Sequence, residues 1–220
     1  MSNLFMEKEF QDAGFITERI NEAILIVHDF ISKEELDILL DIIKITPEDD
    51  WSKTYRANLA RFCLEKFGRD DVENLVAEGK YEITEGWDDK NLDISHNPIA
   101  SIMQTRFNKI LNSADETLEL AGLSTFQRMQ EGVRLQSHTD QHTDPSIKYA
   151  TILYINDNYK DGTIFFKNKN LDLRPKPGQL LVFPGNEEYE HGVNVVGKGP
   201  IRYVIVGFLK IRNFYNNNKY

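Results

Sequence analysis

The sequence predicts an α+β protein in which a mainly helical first half supports a mainly β second half. Three observations carry this. Apolar side chains recur at helical spacing after Ser32 and again after Asn97. From residue 125 the texture changes to short runs rich in Val, Ile, Phe and Tyr. Those runs are separated by the turn pairs Asp161-Gly162, Pro177-Gly178 and Lys198-Gly199. About eight strands at this spacing form a barrel or a two-sheet jelly roll, with the helices buttressing one face.

In chain order, Ala23-Ile24-Leu25-Ile26-Val27 reads as a short buried strand. Ser32 opens a helix with Glu35 as its capping-box partner, and Leu36, Leu39, Leu40 and Ile43 form its apolar stripe. Thr46-Pro47 stops it, because proline has no backbone donor. Residues 48–96 are the least legible, with helical pieces expected at 58–66 and 70–78. The acidic run Glu48-Asp49-Asp50 reads as a solvated loop, and Trp51 and Trp87 as packing residues. Asn97-Pro98 is an N-cap with proline in the first turn, opening a long amphipathic helix expected to end near Gly122. Strands are then expected at 126–130, 133–138, 148–156, 163–167, 170–174, 178–183, 191–196 and 201–211. Of the adjacent pair Phe165 and Phe166, alternation sends one into the core.

A chain of 220 residues suits one domain, and 40% hydrophobic with 28% charged residues is the profile of a globular protein. No apolar run reaches the roughly 18 residues of a membrane span. Met1 to Phe10 includes Glu7, Lys8 and Glu9 and lacks the apolar centre of a signal peptide. The single cysteine, Cys63, excludes an internal disulfide framework and reads as a small buried hydrophobe. A cytoplasmic protein is expected. A net charge of −9 argues against nucleic acid as the main partner.

Three of the five histidines, His138, His142 and His191, lie in the strand half. On a strand, residues i and i+2 share a side, so His138 and Asp140 could present an imidazole and a carboxylate to one point. His191 from a distant strand would complete a two-histidine, one-carboxylate face, the arrangement of iron(II) oxygenases with open coordination positions. Arg202, on the last strand, supplies a planar guanidinium suited to gripping a carboxylate. Arg134 alternates toward a face near this point and is a candidate substrate contact.

Residues 130–210 resemble the prolyl 4-hydroxylase-like branch of the iron(II)- and 2-oxoglutarate-dependent dioxygenases. The resemblance rests on five ordered stretches: Glu131-Gly132 with His138-Thr139-Asp140; Ala150-Thr151-Ile152-Leu153-Tyr154-Ile155-Asn156-Asp157; Asp161-Gly162-Thr163-Ile164-Phe165-Phe166; Arg174-Pro175 through Phe183-Pro184; and His191-Gly192-Val193 through Gly199-Pro200-Ile201-Arg202-Tyr203. It implies a double-stranded β-helix (jelly-roll) core with N-terminal supporting helices. A single domain over 1–220 is expected, with a helical support region at 1–124, a catalytic core at 125–212 and a polar tail at 213–220. His138, Asp140 and His191 would ligate Fe(II), with no further catalytic side chain. Arg202 would pair with the far carboxylate of 2-oxoglutarate, and Tyr154 would donate a hydroxyl to the same group. The implied reaction hydroxylates an unactivated C–H bond, consuming O2 and 2-oxoglutarate and releasing succinate and CO2, with ascorbate as a possible reductant. The branch makes a prolyl residue in a peptide or protein the leading substrate, and a free amino acid or other small molecule the alternative.

Two departures from the family pattern stand out. The interval from His191 to Arg202 is one residue longer than usual, which makes Lys198 a fallback anchor. A second His-Thr-Asp, His142-Thr143-Asp144, follows the first; the distance from Asp140 to Thr151 favours the first copy as ligand. Two other classes stay open. One is a non-catalytic jelly-roll binding protein, and the other a cupin-like metal enzyme without 2-oxoglutarate, which would need neither Arg202 nor Tyr154.

Overall fold

The computed structural model describes residues 6–53, 90–94, 97–114 and 117–214. Cys63, Trp87 and the helical pieces expected at 58–66 and 70–78 lie outside the described residues. Among those described, twelve strands form two antiparallel sheets. The large sheet has the order β1 (Thr17–Arg19), β2 (Leu25–Val27), β10 (Leu180–Pro184), β7 (Ile147–Tyr154), β12 (Arg202–Ile211), β5 (Leu118–Met129), β4 (Lys90–Asp93), β3 (Ser52–Lys53). The small sheet runs β6 (Leu135–His138), β11 (His191–Val193), β8 (Ile164–Phe166), β9 (Leu171–Leu173). The α-helices among the described residues are α1 (Glu7–Asp12), α2 (Lys33–Ile45), α3 (Pro98–Ala114) and the one-turn α4 (Asp140–Thr143).

The central strands read as unbroken apolar runs because the large sheet is covered on both faces. Leu25, Val27, Leu153, Leu180, Val182 and Ile205 belong to one core cluster, which also holds Leu39 of α2 and Met103 and Phe107 of α3. Their neighbours Ile24, Ile26, Ile152, Tyr154, Leu181, Phe183 and Val204 belong to a second cluster with Ile164 and Phe166 of the small sheet. The expected helical buttress and two-sheet jelly-roll interior are these two layers. Phe166 is the buried member of its pair, as alternation requires.

Local signals explain the helix ends. The Ser32 hydroxyl accepts from Glu35 N and the Glu35 carboxylate accepts from Ser32 N at 2.7 Å, a complete capping box. Glu35 also pairs with Arg106 of α3 at 2.8 Å, and Arg106 donates to the Phe30 carbonyl, so the cap fastens the two helices together. Asn97 Oδ1 accepts from Ile99 N at the start of α3. Trp51 packs on Phe126 and Tyr203 under the Arg128 guanidinium, a packing role as expected.

The end of α3 differs from expectation. The helix stops at Ala114 and β5 begins at Leu118, so Gly122 lies inside a strand rather than at a helix C-cap. Leu118 and Leu120 face Ile211 and Leu209 of β12 in register. The partner that fixes this strand lies some ninety residues away, beyond any local periodicity. Beyond β5, β4 and the edge strand β3 extend the same sheet and were not anticipated.

Candidate active site

The small sheet brings the two predicted histidines together. His138 ends β6 and His191 begins β11, and the two are direct antiparallel partners. Gly192 permits this closeness: a Cβ there would lie 2.6 Å from the Leu135 carbonyl oxygen and 2.6 Å from the Phe165 ring. No larger residue fits between β6 and β8 at that point without displacing backbone.

Asp140 reaches the same place by another route than strand alternation. The strand ends at His138, Thr139 caps α4, and Asp140 is the first residue of that turn. Its Oδ1 lies 3.8 Å from His138 Nε2 and its Oδ2 3.8 Å from His191 Nε2. The donor atoms of the three residues all lie within 4.8 Å of one another.

The hydrogen bonds behind these groups prepare them as ligands. His138 Nδ1 sits 2.9 Å from the Gln136 carbonyl and His191 Nδ1 3.1 Å from the Tyr189 carbonyl. A carbonyl only accepts, so each Nδ1 carries the proton and each Nε2 turns a lone pair toward the shared point. Burial and the nearby His138 push the His191 pKa down to about 3, so the ring is neutral at physiological pH. Phe183 stands edge-on to His191 at 4.6 Å and Phe166 lies 6.0 Å away, fixing the ring in an apolar wall. His138 is the open side, with 27% of its side chain exposed against 6% for His191. Two neutral imidazoles and a carboxylate suit a divalent metal with open positions.

Arg202 occupies a different environment. It is completely buried, and alternation along β12 puts it on the same face as Val204, inside the jelly roll. Its Nη1 approaches the Met129 sulfur at 3.5 Å and its Nη2 donates to the Tyr154 hydroxyl at 3.4 Å, while Nε has no partner. Among the described residues no carboxylate pairs with it. Burial raises the Tyr154 pKa to about 12 despite the cation beside it, so its hydroxyl keeps its proton as a donor. The residues flanking Arg202 are pinned by one side chain, Asn156, which donates to the Ile201 carbonyl at 2.7 Å and accepts from Tyr203 N at 2.8 Å. The extra residue between His191 and Arg202 is taken up before β12 begins, and Arg202 stays in register with Met129. Lys198 is exposed on the connecting turn.

The second His-Thr-Asp faces elsewhere. His142 is exposed on α4, and Asp144 accepts from Ser146 N and Oγ and pairs with Lys210 at 2.8 Å. Arg134 is exposed just before β6. Sequence reasoning missed Asn156 as the clamp around Arg202, although Asn156 lies within the stretch Ala150 to Asp157. It also missed Tyr159, whose ring lies 5.9 Å from the Arg202 guanidinium carbon.

Residues 124–210, the segment that holds all of these groups, match the family model of the 2OG-Fe(II) oxygenase superfamily. The chain carries a 2OG-Fe(II) oxygenase domain. Iron(II), 2-oxoglutarate and O2 are what this oxygenase family implies. No curated protein matches the chain. Among solved structures, a prolyl hydroxylase from Trichoplax adhaerens, in complex with a hypoxia inducible factor oxygen degradation domain peptide fragment, superposes with a TM-score of 0.68. It is 12% identical, and the match covers 100% of this chain and 98% of that one. The viral collagen prolyl hydroxylase of Paramecium Bursaria Chlorella virus-1, as its 2OG complex, gives a TM-score of 0.56 at 13% identity, over 86% of this chain and 96% of that one. A Burkholderia pseudomallei oxidoreductase of the 2OG-Fe(II) oxygenase family gives 0.53 at 11% identity, over 93% and 89%. The oxygenase domain therefore has the fold seen in prolyl hydroxylases.

Proposed function

We propose that this oxygenase hydroxylates a prolyl residue in a peptide or protein, with His138, Asp140 and His191 holding the iron and Arg202 and Tyr154 holding the far carboxylate of 2-oxoglutarate. The observation that carries the cosubstrate assignment is the fully buried Arg202 guanidinium with no carboxylate beside it among the described residues. A buried charge without a partner is costly, and a dicarboxylic acid bound here would supply the missing anion. A cupin-like metal enzyme working without such an acid has no use for it. The peptide assignment draws on the fold shared with the T. adhaerens prolyl hydroxylase and its peptide complex.

Bound iron supplies the activation of O2 coupled to decarboxylation of the 2-oxo acid. The chain's own residues do the rest. The Gln136 and Tyr189 carbonyls hold both imidazoles in the Nε2-ligating tautomer. Arg202 and Tyr154 would hold the far carboxylate of the diacid and leave its 2-oxo acid end for the iron held by the three ligands. Phe166, Phe183, Leu181 and Val204 line the interior and keep water from that space. The substrate enters on the His138 side, where the site is open. Ascorbate serves as an auxiliary reductant.

The test is mass spectrometry of proline-containing peptides incubated with enzyme, iron(II), 2-oxoglutarate and ascorbate. A gain of one oxygen on proline, matched mole for mole by succinate, is the expected result. Succinate formation with oxygen gained only on a free amino acid or other small molecule would replace the peptide reading with the small-molecule one.

A further inference from the structure

The assignment above leaves one buried group near Arg202 without a task. Tyr159 is 2% exposed, yet its hydroxyl has no hydrogen-bond partner among the described residues. Buried hydroxyls are almost always paired, and an orphan points to a partner that comes and goes. The Tyr159 ring lies near two guanidinium groups, the buried Arg202 at 5.9 Å and the exposed Arg174 at 4.9 Å. Arg174 also donates to the Tyr159 and Asp161 carbonyls, clipping down the loop that carries the ring. Asp161 and Gly162 then reverse the chain with φ of 50° and 60°. At Gly162 a Cβ would lie 3.0 Å from Val196, 3.4 Å from the Tyr159 ring and 3.5 Å from Arg202 Cδ, so the turn closes the wall of this space. The Tyr154 ring lies 5.3 Å from the same Arg202 guanidinium carbon, so both phenol rings border one guanidinium.

We propose that Tyr159 donates its hydroxyl to the same distal carboxylate as Arg202 and Tyr154, making it a determinant of selectivity for a dicarboxylic 2-oxo acid. This rests on the 2-oxoglutarate reading of the Arg202 pocket. A carboxylate offers about four lone-pair sites, more than one Arg fork and one tyrosine fill. The second hydroxyl completes the set, and the acid in turn satisfies an oxygen that is otherwise orphaned. A 2-oxo acid with a methyl group in place of the far carboxylate would leave both hydroxyls and the guanidinium unpaired, the condition under which polar sites discriminate most sharply.

The experiment compares calorimetric binding of 2-oxoglutarate and 2-oxopentanoate to the manganese(II)-loaded protein, as wild type, Tyr159→Phe and Arg202→Met. Tyr159→Phe removes a single oxygen, and its melting temperature confirms the fold. Wild type should prefer 2-oxoglutarate strongly. Tyr159→Phe should weaken 2-oxoglutarate roughly tenfold or more and leave 2-oxopentanoate unchanged. In turnover its KM for 2-oxoglutarate should rise while kcat holds. Unchanged 2-oxoglutarate binding in Tyr159→Phe, with Arg202→Met impaired, would overturn the role of Tyr159 alone. Equal losses for both acids would reduce Tyr159 to a structural part. A wild type that does not distinguish the two acids, or an Arg202→Met that still does, would overturn the pocket reading and this proposal with it.

Discussion

The two faces of the large sheet are built from the same strands, one residue out of phase, and differ in how they treat polar groups. Toward the helices, the clustered strand residues Leu25, Val27, Leu153, Leu180, Val182 and Ile205 are apolar, and they meet apolar side chains of α2 and α3. Toward the small sheet, the apolar series of Ile152, Leu181, Phe183 and Val204 gives way at Tyr154 and Arg202. The first face is organised for stability. The second buries a charge for which the proposed cosubstrate would supply the anion, and binding sites commonly depart from packing rules in this way.

That contrast can be broken from either side. The largest effect is expected at the proposed metal ligands: His191→Ala should abolish succinate formation, measured as product per mole of enzyme, because a facial set with one imidazole missing no longer holds iron. Arg202→Met should come next. It should raise the 2-oxoglutarate concentration needed for half-maximal rate roughly a hundredfold or more, as loss of a buried charged partner does. The same variant should make the ligand-free protein more stable, by about 1 kcal/mol or more in denaturant titration, since an uncompensated buried cation is gone. Phe107→Ala acts on the other face. It should cost about 3–5 kcal/mol in stability and leave the KM for 2-oxoglutarate of the folded fraction unchanged. The smallest effect belongs to the duplicate motif: His142→Ala should hold kcat/KM for 2-oxoglutarate within about twofold of wild type, because that side chain is exposed outside the ligand set.

Much of this was legible in the sequence because the site is encoded as types at intervals. His138-Thr139-Asp140, His191 and Arg202 could be singled out before any fold was known, and the structure brings the first three to one point and buries the fourth. The reason given for Asp140 was incomplete. It shares a point with His138 through the cap and first turn of α4, not through an extended strand. Longer-range features were less legible. The start of β5 at Leu118 depends on β12, and a glycine at 122 reads locally as a helix end. Nothing in the local sequence around Tyr159 marks it. Only the three-dimensional fold shows that its ring lies beside Arg202 and that its buried hydroxyl has no partner among the described residues. Asn156 was hidden for a similar reason: its hydrogen bonds to Ile201 and Tyr203 reach residues more than forty positions away.

Anaerobic titration with iron(II) and 2-oxoglutarate, followed by the weak visible charge-transfer band of the chelated 2-oxo acid, tests the central assignment most directly. The band should grow to saturation at one 2-oxoglutarate per chain, disappear in His138→Ala, and require far more cosubstrate in Arg202→Met. No band in the wild-type protein, or a band that saturates identically without the arginine, would contradict the site described above.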